Sequence, residues 1–99
     1  MIRVPMNRIV KFFGEDCTVQ VSEYSNGRTA LQLLCSVGPM ATATVNLPNE
    51  KLGKDCVFIK NYSENEGMLE ALVKAGVVRD TGKRVRTGYV EVPMCELLI

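Results

Sequence analysis

The apolar residues of this chain keep two different periods, and the point where one gives way to the other limits the fold more than any other feature. From Ser63 to Gly76 they fall at helical spacing. Met68, Leu69, Leu72 and Val73 make one stripe, with Glu70 and Lys74 at i, i+4 on another face. Ser63-Glu64-Asn65-Glu66 matches a capping box, and Gly76 stands where a left-handed residue ends a helix, so the pattern predicts a helix over about 64–75. Gly67 is the dissonant residue, because glycine inside a helix costs roughly 1 kcal/mol relative to alanine.

The first half alternates with period two, the pattern of strands with one wet and one dry face. Strands are expected at about 8–13, 17–22 and 29–37, with Asn26-Gly27 as a two-residue hairpin turn between the second and third. Gly38-Pro39 is expected to turn the chain into a fourth strand over 40–47, completing a meander. The loop Pro48–Asp55 breaks both periods, and Cys56–Lys60 reads as a compact, well-covered fifth strand. After the helix, Val77 and Val78 pair briefly before Asp80-Thr81-Gly82 turns the chain. A last strand over 89–98 carries Pro93, which makes it either an edge or bulged. The expectation is one α+β domain: a mostly antiparallel sheet of five to six strands, opening with a meander, packed against one helix at about 64–75.

Size supports this, since 99 residues make a single domain that buries about two-thirds of its unfolded surface. A hydrophobic fraction of 46% with 23% charged residues argues against disorder, and a net charge of +1 leaves any electrostatic role to local clustering. No apolar run nears the ~20 residues that cross a bilayer, so no membrane partner is expected. Met1–Val10 contains Arg3 and Arg8 and lacks the apolar run of a signal peptide, which points to a cytoplasmic protein.

The residues that could carry chemistry argue against catalysis. There is no histidine, so the commonest general base and its nucleophile pairs are missing. Cys17, Cys35, Cys56 and Cys95 are isolated and never C-x-x-C; the reading is buried, reduced thiols, with no metal and no cofactor. Cys56 and Lys60 share a strand face but lie about 13 Å apart, too far to cooperate. No phosphate-cradling glycine motif is present.

The clearest asymmetry is the stretch 79–88, where Arg79, Lys83, Arg84 and Arg86 meet one acid, Asp80. Read as a mobile basic loop, it suits phosphate or an acidic protein surface. Tyr62, Asn65 and Tyr89 are the candidate anchors for a protein interface.

The stretch VFIKNYSENEGMLEALVKAGVV (57–78), followed by TGKRVRTGYVEVPMCELL (81–98), resembles a family of small bacterial proteins classed as a domain of unknown function and carried on plasmids, conjugative elements and phages. The resemblance implies an accessory protein of mobile DNA in a bacterial cytoplasm, with no active site to carry over. Such a factor is expected to bind another protein, for example as an inhibitor of host defence of the anti-CRISPR or antirestriction type. The alternative is a nucleic-acid-associated protein that contacts phosphate through the basic stretch.

Overall fold

A computed structural model describes residues 6–99; the first five residues, part of the segment weighed above as a leader, lie outside the described residues. The chain is α+β; the described residues form seven strands in two antiparallel sheets and one α-helix. The first sheet is a meander of β1 (Met6–Phe12), β2 (Glu15–Glu23), β3 (Thr29–Cys35) and β4 (Gly38–Thr42), in that order. The second has β5 (Cys56–Phe58), then β7 (Val90–Leu97), then β6 (Val78–Thr87).

The two sheets are joined just past β4. Ala43 donates to the carbonyl of Leu31 on one side, while Val45 donates to Phe58 and Lys60 donates to Ala43 on the other. With the Thr44–Ile59 bridge, these bonds link β3 to β5 through residues 43–45. Helix α1 (Met68–Lys74) packs on β1 and β6, the two strands that end this series. One hydrophobic cluster therefore serves both sheets and the helix, from Val10 and Leu33 through Ile59 to Leu72 and Cys95. The alternation in β2 and β3 is what fills it: Val19, Val21, Leu31 and Leu33 are buried and their neighbours are not.

The turns differ from the sequence expectation in an instructive way. The two-residue turn with both residues at positive φ falls at Phe13-Gly14 (φ 51° and 77°), between β1 and β2. At Asn26-Gly27 only the glycine has positive φ (85°), and Tyr24 donates to Arg28 across a three-residue loop. The Asn26 carboxamide is used otherwise, accepting from the Arg28 amide and donating to Asn46. The chain also reverses at Ser36-Val37, before Gly38-Pro39; Pro39 sits in β4, where Leu34 is its partner.

The helical segment splits in two. Ser63–Asn65 is a 3₁₀ turn, and α1 begins only after Gly67, whose φ of 94° no capping serine could share. The expected Ser63–Glu66 capping box does not form, because Ser63 itself lies at φ 55° and Glu66 closes the 3₁₀ turn. Asn61 caps instead: its side-chain oxygen accepts from the amide of Leu69, eight residues on, at 2.9 Å. The far end meets the expectation. Gly76, at φ 74°, donates to Val73, and Val77 donates to Leu72, which is a Schellman stop.

Candidate functional site

The stretch 79–88 is not a loop. It is most of β6, paired with β7 along its length, so the supposed turn at Asp80-Thr81-Gly82 is a bulge within a strand. Asp80 faces Cys95 and Arg84 faces Pro93, so residues 81–83 of β6 span a step for which β7 supplies only Met94. The bulge satisfies its own polar groups. The Asp80 carboxylate accepts from the Gly82 amide at 2.9 Å and from both terminal nitrogens of Arg84 at 2.9 Å each. The Thr81 hydroxyl donates to the Met94 carbonyl at 2.6 Å and accepts from the Lys83 amide at 3.2 Å. The Arg84 guanidinium, together with the Gly82 amide, holds the Asp80 carboxyl below its ordinary range.

Pro93 tells which way the β6 backbone points. Its carbonyl accepts from the Ile59 amide, so Pro93 faces the β5 side of β7 and makes no ladder bond to Arg84. In an antiparallel pair the bonded and non-bonded positions alternate, and a residue's N–H and C=O point the same way. Val85 and Thr87 are therefore bonded to Val92 and Val90, while Arg84 and Arg86 direct their N–H and C=O away from β7. β6 is the last strand of its sheet, so this outer edge has no strand beyond it among the described residues. Pro93 thus lies in a central strand, opposite a bulge, with its missing donor on the side where β5 ends.

The four cations do not act as one patch. Arg79 donates to the Glu96 carboxylate at 3.0 Å, and Arg84 is committed to Asp80. Arg86 stands opposite Glu91 in register without a direct bond. Lys83 projects exposed from the bulge, with no ion pair among the described residues. Sequence reasoning missed Glu91 and Glu96 because they lie on the partner strand, and it missed Asp80 as organiser because D-T-G reads as a turn.

The proposed anchors separate. Tyr89, at the tip of the β6–β7 hairpin, is fully exposed at 102%. Tyr62 is half-buried, with the Lys60 ammonium 5.8 Å from its ring centre. Asn65 is no surface anchor: it is 2% exposed, and its amide donates to the Thr42 carbonyl at 2.6 Å, tying the 3₁₀ turn to β4. Lys60, weighed above against Cys56, is paired with Glu64 instead.

Two other features bear on chemistry. A shallow groove of about 660 Å³ lies alongside α1, where it meets β1 and β6, lined by Lys11, Leu69, Glu70, Val73, Lys74 and Asp80, with charges of both signs. All four cysteines are free, and burial raises two of them: Cys17 lies above the usual thiol range and Cys95 is pushed up to about 12, so neither is a thiolate near neutral pH. No helix of the described residues is long and apolar enough to cross a membrane. No family model, curated protein or solved structure matches the chain.

Proposed function

We propose that this chain is a non-enzymatic protein-binding factor whose contact surface is the outer edge of β6, taking an extended acidic segment of its partner as an added strand. The observation that carries the reading is the outward-facing backbone of Arg84 and Arg86. Two N–H and two C=O groups there await a ladder, and Lys83 and Arg86 beside them favour acidic neighbours. A second copy of the chain is a poor occupant, since antiparallel pairing of β6 with itself sets these cations against their like. The bulge and the charges also keep the edge from indiscriminate pairing.

The resemblance over 57–98 supplies the setting: an accessory factor of a mobile genetic element in a bacterial cytoplasm. Inhibition of a host defence complex, of the anti-CRISPR or antirestriction type, is the activity such a binder would exert, by covering a surface the complex needs. Phosphate contact through Arg79, Lys83, Arg84 and Arg86 is weaker support for a nucleic-acid role, because Glu96 and Asp80 already hold two of the four.

Proline at an outward-facing position separates these readings. Arg86→Pro removes an amide that β7 does not use, so the fold survives while the added strand loses a donor. With the chain as bait in bacterial lysate, a specifically captured protein should be lost with Arg86→Pro and with Lys83→Glu/Arg86→Glu. Equal capture by Arg86→Pro would contradict strand addition. Retention of nucleic acid that falls steeply with salt would favour the phosphate reading.

A further inference from the structure

β2 and β3 pair in one unbroken register, with Thr18 opposite Leu34 and Val19 opposite Leu33. Carried one step beyond its last observed pair, that register sets Cys17 opposite Cys35. The ladder bonds fall at the even positions of β2: Tyr24 donates to Arg28, whereas Leu31, the partner of Val21, gives its carbonyl to Ala43 on the other side. Cys17 and Cys35 therefore form a non-hydrogen-bonded pair, the type in which Cα atoms approach to about 4.5 Å. That lies at the short end of the ~4.4–6.8 Å that disulfides span. Both thiols lie against the same hydrophobic cluster, Cys17 fully buried and Cys35 half-buried. Their proximity also shows in Cys17, whose thiol is raised first by burial and next by Cys35.

The second cysteine pair is a control built into the molecule. Cys56 faces Glu96 and Val57 faces Cys95, so Cys56 and Cys95 are one register step apart and leave opposite faces of the sheet.

We propose that Cys17 and Cys35 are a reversible oxidation site that closes a cross-strand disulfide when the chain meets a low-molecular-weight disulfide such as oxidised glutathione. Cys35, the more exposed thiol, attacks first as its thiolate, forming a mixed disulfide and releasing one glutathione. Cys17 then attacks the Cys35 sulfur, the protein disulfide forms and the second glutathione leaves. The two protein thiols lose two electrons and two protons, and the glutathione disulfide gains both. The bridge ties the open ends of β2 and β3 together, opposite the 24–28 loop.

The folded chain, incubated with oxidised glutathione, alkylated and digested, should yield one linked peptide pair joining Cys17 to Cys35. Dithiothreitol should reverse it, and Cys56 and Cys95 should remain free thiols. Closure should quicken as pH rises above neutrality, because burial keeps Cys17 protonated. Cys17→Ala should stop at a glutathione adduct on Cys35, and Cys35→Ser should form no link. A lasting adduct on Cys35 in the native chain, a link involving Cys56 or Cys95, no reaction, or a Cys17–Cys35 link only in denaturant would each overturn the proposal.

Discussion

The β2–β3 and β6–β7 hairpins have the same antiparallel pairing but opposite fates. Both outer edges of the first are used, by β1 and by β4 with residues 43–45, and Cys17, Val19, Val21, Leu31 and Leu33 are buried in alternation along it. In the second, β7 is covered on both sides while β6 has only Val78 buried and faces outward with bulge and charge. The difference teaches where each kind of work is done. A strand whose two edges are occupied has no backbone bonds left to offer a partner; one with a free backbone edge can still form them.

Four substitutions test that division, taken from the largest effect to the smallest. Leu33→Ala, in the closed hairpin, should destabilise by about 3 kcal/mol in urea unfolding, because a fully buried leucine leaves a cavity shared by both sheets. A loss below 1 kcal/mol would mean the core does not rest on that hairpin. Asp80→Ala should cost about 1.5 kcal/mol, since it removes the cap on Gly82 and the partially exposed pair with Arg84. The sign with pH follows from the lowered carboxyl: its contribution is complete above the ordinary aspartate value of about 3.9 and is lost as pH falls through the folded value. The stability gap between wild type and Asp80→Ala should therefore narrow on acidification over that window.

Phe13→Asn should stabilise by about 1 kcal/mol, seen as a raised thermal midpoint. The exposed phenylalanine holds φ 51° in a turn that asparagine before glycine fits better. Smallest of all, Arg86→Ala should shift stability by no more than about 0.5 kcal/mol while weakening partner capture, because its exposed side chain makes no hydrogen bond or ion pair among the described residues. A large loss of stability there would make β6 a structural strand like β3.

Much of the architecture can be read from residues alone, and the misses share one cause. Alternation placed β2 and β3, and Gly76 placed the end of α1, because each signal acts on its own neighbours. The capping of α1 could not be read locally, since Asn61 reaches Leu69 across eight positions while the nearer Ser63 is turned away at positive φ. Likewise Asp80-Thr81-Gly82 carries turn chemistry in its sequence, and only pairing with β7 converts it to a bulge. The same pairing brings Glu96 to Arg79, which with the Asp80–Arg84 pair leaves only Lys83 and Arg86 of the basic run uncompensated among the described residues. Among the described residues seven strands form where five or six were expected, because 78–87 is extended throughout.

The central claim is that the outer backbone of β6 is what this protein offers to a partner. Residue-resolved amide hydrogen exchange, on the chain alone and then with its captured partner, tests it most directly. Alone, the amides of Arg84 and Arg86 should exchange fast and those of Val85 and Thr87 slowly; in the complex, Arg84 and Arg86 should become protected. Slow exchange at all four positions in the free chain would contradict the account, as would protection that appears on the α1 groove around Lys11 and Lys74 while β6 stays unchanged.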